Sequence, residues 1–213
     1  MTRHSKRVGN SFVLLIYWPL KIENKTMKQL TLLIASFFIL SQVTSQDAGS
    51  NDPWMAYMTP APFHKMLEKY TGEWKMDVSM WMEGAGEPMK STMKSTHAMI
   101  SNGLFLEMNQ LGDMMGTAFT ARITIGYNNS SKEVELTSYT NMGSGMTFLR
   151  GKWDESKKAA DLKGQLTDPV SGKAINIRQV VSFPDATTML IENFDQSGTG
   201  PEKKTMEFRC TKS

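Results

Sequence analysis

Few side chains in this 213-residue chain are chemically versatile: His64 and His97 are the only histidines beyond residue 45, and Cys210 is the only cysteine. Methionine is the exception, with 16 of its 18 copies after residue 45. They include Met76, Met80, Met82, Met89, Met93, Met99, Met108, Met114, Met115, Met142 and Met146. Clustered thioethers are soft ligands suited to Cu(I). Methionine also fills irregular cores and adaptable lipophilic pockets, and the alternating spacing here favours that reading over a metal site. Zinc is disfavoured, because His64 and His97 stand in no ligand motif. MGSGM at 142–146 lacks the full GxSxG elbow of a serine hydrolase, and the GxG pairs at Gly84, Gly143 and Gly198 lack the third glycine of a dinucleotide site. Glu133/Glu135 and Asp154/Glu155 read as solvated charge, and the sequons at Asn128 and Asn129 imply no chemistry of their own. No catalytic or cofactor motif emerges, so the sequence leans away from an enzyme.

The elements that would position any site are strands. Phe63, Met66, Leu67 and Tyr70 fall at i, i+3, i+4 and i+7 after Pro60 and Pro62, which predicts one short helix ended by Gly72 in a left-handed stop. From Glu73 the period becomes two, with Trp74, Met76, Val78, Met80 and Met82 on one face. Turn signals then punctuate strands expected over 89–101, 104–111, 117–127, 133–141, 146–153, 159–166, 174–183, 187–195 and 203–211. No crossover helices separate them, so the strands must form an antiparallel meander, and closing it into a barrel removes both edges. The expected fold is all-β: a barrel of about ten strands over 61–213 with a short N-terminal helix. That many strands enclose more room than side chains alone usually fill, which makes an internal cavity an expectation.

If each apolar face points inward, parity places His97 beside Met93 and Met99, Arg150 beside Met146 and Phe148, Gln179 beside Ile177 and Val181, and Asn193 beside Ile191. These residues are the candidate ligand-binding set: a largely apolar pocket with a few polar groups to orient a small molecule. The alternative is that His97 and Arg150 sit at a wet rim while Gln179 and Asn193 satisfy neighbouring backbone. One bulge would reverse every assignment beyond it.

The N-terminal 45 residues are read apart from the fold. Met27 and Lys28, the apolar run 30–40 and Val43-Thr44-Ser45 have the parts of a secretory signal cleaved before Gln46, with translation starting at Met27. On that reading 1–26 is an over-called extension, the competing reading being a long basic n-region. The apolar runs 12–20 and 30–40 are too short to span a bilayer, and the mature protein is expected to be exported, periplasmic or secreted. Six of the 24 Lys+Arg and one of the 21 Asp+Glu lie in this leader, leaving a net charge of −2, which removes the compositional case for nucleic-acid binding. Residues 46–60 are proline-broken and polar, and read as an extended or disordered arm.

Residues 62–209 resemble a bacterial family known only as domain of unknown function 1579, through HKMLEKYTGEW (64–74), ARITIGYN (121–128), DPVSGK (168–173) and MEFR (206–209). The resemblance implies a calycin-type, lipocalin-like barrel and no activity. Gly72-Glu73-Trp74 is similar to the GxW opening of lipocalins, in which the tryptophan closes one end beneath an arginine of the last strand. Arg209 is the matching position here, although Met206, Phe208 and Cys210 share the other face of its strand. Haem-binding ten-stranded barrels of similar shape use a late histidine, and none follows His97; no cofactor is expected. The function expected is non-enzymatic binding of a small lipophilic molecule, the alternative being a packed scaffold that captures a protein partner through its arm.

Overall fold

The computed structural model describes residues 52–82, 84, 86–196 and 198–213. The segments read as a secretory signal and an upstream extension, and the start of the expected arm, lie outside them. The rest of the arm is partly helical rather than extended: α1 spans Pro53–Met58, capped where Asp52 Oδ1 accepts from the Trp54 amide at 2.9 Å, with Pro53 in the first turn. The expected helix is α2, Pro62–Leu67, followed by a 3-10 turn over Glu68–Tyr70. It buries Phe63, Leu67 and Tyr70 as the apolar spacing requires. Gly72, at φ 112°, opens the first strand rather than ending the helix, because the 3-10 turn has already terminated it.

Ten strands follow: β1 Gly72–Met80, β2 Met89–Ile100, β3 Phe105–Met114, β4 Thr117–Asn128, β5 Glu133–Thr140, β6 Thr147–Asp154, β7 Ala159–Thr167, β8 Ala174–Asp185, β9 Thr188–Gln196 and β10 Lys203–Lys212. Each pairs antiparallel with its sequence neighbour, and β10 returns to β1 from Trp74↔Lys212 to Met80↔Met206. The sheet is a closed barrel, so no edge strand is left to pair with another chain. Among the described residues no helix is long and apolar enough to cross a membrane. The outward face carries Lys75, Lys90, Lys94, Glu107 and Arg122 while apolar residues point inward, the reverse of a lipid-embedded barrel.

Alternation decides the interior: Trp74, Met76 and Val78 on β1, Met93 on β2, Leu106 and Met108 on β3, and Ile123 and Ile125 on β4 are all buried. Strand β6 departs from expectation. Met146 is 69% exposed, Phe148 50% exposed and Arg150 outward, whereas Leu149 is buried. The register explains the reversal: Leu149 and Gly151 lie opposite the buried Leu136 and Val134, and directly paired residues share a face. Arg150 therefore does not line the lumen.

Candidate functional site

The two ends of the barrel differ. At the end entered by α2, an aromatic plug fills the lumen. Trp74, 1% exposed, donates from Nε1 to the Tyr70 carbonyl at 3.1 Å and lies between Tyr70 and His97, with centroids 5.9 and 5.1 Å away and planes tilted by 22° and 15°. Tyr70 meets the edge of Phe183 at 4.7 Å, Phe183 meets Trp153 at 5.9 Å, Trp153 meets Phe63 at 5.1 Å, and Phe63 meets Tyr127 at 5.5 Å. The Tyr70 hydroxyl donates to the Asp185 carbonyl at 2.9 Å, joining the plug to β8. Such ring pairs add specific attraction to the area they bury.

His97 belongs to this plug rather than to a ligand pocket. Its Nδ1 lies 3.0 Å from the Tyr70 carbonyl and its Nε2 2.9 Å from Ser95 Oγ. A carbonyl only accepts, so Nδ1 carries the proton and Nε2 accepts from the serine hydroxyl. Both ring nitrogens are satisfied in the neutral form, and burial, reinforced by Lys212 nearby, holds the pKa down to about 4. His64 is likewise buried, with its pKa lowered chiefly by burial, and its Nδ1 accepts from the Ala61 amide at 2.8 Å.

The closing cation is not Arg209. That side chain points outward, opposite Asp77, because Phe208 and Cys210 take the inward positions and no bulge intervenes between Met206 and Thr211. Lys212, paired with Trp74, holds Nζ 5.8 Å from the indole centroid and donates to the Lys69 carbonyl at 3.0 Å.

The opposite end is a half-open mouth. There the inward Met80, Met206, Leu166, Ile175, Asn193 and Asp195 are only partly buried. Register strings five inward residues into one row across β2, β1, β10, β9 and β8: Met89–Met80–Met206–Asn193–Gln179. Gln179 Nε2 donates to Asn193 Oδ1 at 2.7 Å, while Gln179 Oε1 is buried without any partner. An unpaired buried acceptor costs about 1–3 kcal/mol, so its presence calls for an explanation. Beside the row Asp195, opposite Ile177, has its carboxyl pKa raised by burial.

Of the sequence candidates, the fold brings Gln179 and Asn193 together at the mouth and places Met93, Met99 and His97 on the inner face of β2 toward the plug; Arg150 and Arg209 are outside. The Met89–Met80–Met206 row and Asp195 were missed. Parity alone puts Asp195 two residues past Asn193, but pairing of distant strands was needed to align the methionines. A separate cleft of about 230 Å³ lies against α1, lined by Tyr57, Met58, His64, Phe105 and Tyr127. Asn129 fixes the arm there, donating from Nδ2 to the carbonyls of Ala56, Tyr57 and Thr59 at 3.0, 3.1 and 2.8 Å.

Fold and interior together define a ten-stranded antiparallel barrel plugged at one end by a helix and aromatic rings. The chain belongs to the family described as protein of unknown function (DUF1579), whose model matches residues 59–212. No curated protein matches it significantly. Its fold is similar to the crystal structure of Rv2717c from M. tuberculosis, with a TM-score of 0.52 at 12% identity over 73% of this chain and 99% of that one.

Proposed function

We propose that the protein is an exported, non-enzymatic barrel that binds a small lipophilic molecule carrying one hydrogen-bond donor. The observation that carries this reading is the unpaired Oε1 of Gln179, 9% exposed, at a mouth where Met80, Met206, Leu166 and Ile175 face inward beside only Asn193 and Asp195. A ligand hydroxyl or amine would satisfy that oxygen, while its apolar body replaces water against Met80, Met206, Ile175 and Leu166. Unbranched methionine side chains have three rotatable bonds, so Met80 and Met206 can retreat to admit it. His97 at the plugged end has no such unpaired atom, because both of its ring nitrogens are already paired.

Native mass spectrometry of protein purified from its host tests the reading. A co-purifying small molecule is expected, and Gln179→Leu is expected to lose it while folding about as stably, since the substitution removes an unpaired acceptor and, against that, the bond to the half-buried Asn193 Oδ1. A host-purified barrel free of any such mass, or a Gln179→Leu protein that retains it undiminished, overturns the proposal. Export is tested by sequencing the N-terminus of that material, which should begin at Gln46.

A further inference from the structure

We infer that Met89, Met80 and Met206 form a thioether site for Cu(I) at the barrel mouth, a ligand class beyond the lipophile proposed above. Met80 is the direct partner of Met89 on β2 and of Met206 on β10, so three sulfur side chains stand side by side on one face of three adjacent strands. Neighbouring strands lie about 4.8 Å apart, which puts the two outer methionines within side-chain reach of a point above the central one. Their partial burial grades from the mouth inward, and Met89, 42% exposed, leaves a route for an ion from solvent.

The donor set selects the ion. Three neutral thioethers give no charge to attract Mg²⁺ or Ca²⁺ and no imidazole or thiolate to hold Zn²⁺, but they suit a soft monovalent cation. Among the described residues no three His, Cys, Asp or Glu side chains converge as alternative ligands. A second sulfur row, Met93–Met76–Cys210, lies deeper in the barrel beyond Val78 and is fully enclosed. Burial pushes the Cys210 thiol up to about 12, so it remains protonated and is a poor ligand. The mouth row is both accessible and free of any proton that must leave before the metal binds.

The test uses the full chain carrying ¹³C-methyl-labelled methionine, titrated with Ag(I) as a redox-silent probe for Cu(I), followed by competition between the protein and a Cu(I) chelator. One equivalent is expected to shift the methyl signals of Met80, Met89 and Met206, with an affinity unchanged between pH 8 and pH 5 because thioethers do not titrate. Each of Met80→Leu, Met89→Leu and Met206→Leu should weaken binding at least by the roughly 10–100-fold that follows loss of an outer-shell partner. Cys210→Ala and Gln179→Leu should leave it intact, which separates this site from the deep row and from the lipophile proposal. Binding that falls with pH, that survives the methionine substitutions or that disappears with Cys210→Ala overturns the assignment.

Discussion

Acidification should weaken the barrel chiefly through one ring. His97 is neutral and enclosed, with a pKa lowered from 6.5 to about 4. The unfolded chain therefore takes up a proton that the folded chain refuses, and its affinity for that proton sets the pH window. The stability held by neutral His97 is fully present above pH 6.5 and is lost as pH falls from there toward 4. At 1.36 kcal/mol per pKa unit the full linkage is about 3 kcal/mol, of which about 2.5 is gone by pH 4.5. Urea unfolding followed by tryptophan fluorescence between pH 8 and pH 4.5 measures it. His97→Gln should lose less stability across that interval, since glutamine can still donate to the Tyr70 carbonyl and accept from Ser95 without titrating. Some slope should persist from His64, whose pKa burial also lowers, and His64→Gln in the same background should flatten it further. The carboxylates with lowered pKa, among them Asp77, Asp168 and Asp185, affect stability only at more acid pH, because their unfolded values already lie below this window. A His97→Gln curve parallel to the wild-type one from pH 8 to 4.5 would refute the reasoning, since that comparison cancels the opposite contribution of Asp195, whose carboxyl burial holds above its ordinary pKa.

Trp74→Ala should destabilise the fold by about 3–5 kcal/mol, as removing a buried large aromatic does; a variant with the wild-type urea midpoint but no ligand would make Trp74 a binding residue instead. Gly151→Ala should cost about 1–3 kcal/mol by overpacking, because its Cβ would lie 1.8 Å from the Asp161 carbonyl oxygen across the β6–β7 ladder. An unchanged melting temperature would count against that close approach. Asn129→Ala should release α1, giving faster proteolysis at 53–59 while the barrel's urea midpoint barely moves, because the three bonds it removes tie down only the arm. Equal cleavage rates in the two proteins would show that the arm is held by other contacts.

The architecture was legible because the strands are short, alternating and separated by turn residues, and because no segment beyond Gly72 offers a competing helical period. The inner face of β1 is read correctly from Trp74, Met76 and Val78, as are His97 on β2 and Gln179 on β8. Strand β6 failed for a local reason: Met146 and Phe148 look like a core stripe, yet they face solvent, while the true inward positions are Leu149 and the side-chain-free Gly151. A glycine at an inward position carries no hydrophobic signal, so the apolar residues on the wrong face dominated the pattern. The Arg209 assignment failed differently. Its resemblance to a lipocalin closure implied an inward arginine, but strict alternation from Phe208 to Cys210 leaves only Lys212 in register with Trp74. Arm residues 53–58 were misread because a capped helix of six residues is too short to show a period.

The candidate site depends on a property no local pattern contains, the tilt of the strands. Closing ten strands with a staggered register makes a ring of paired residues climb relative to the barrel axis. The row from Met89 to Gln179 follows that climb: Met89 is exposed, Met80, Met206 and Asn193 are half-buried, Gln179 is nearly enclosed, and its partner Leu162 on β7 is completely buried. One ring therefore passes from water to core within a few strands, sorting its side chains by depth. Thioethers, which lose little when partly wetted, occupy the shallow end; the amides, which need partners once water is excluded, occupy the deeper one, and there the pairing is one donor short. That mismatch is not a consequence of the fold, since an aliphatic residue at 179 would continue the packing of Ile177 and Val181. It is a departure from core chemistry at the depth where a molecule entering past the methionines would place its polar end.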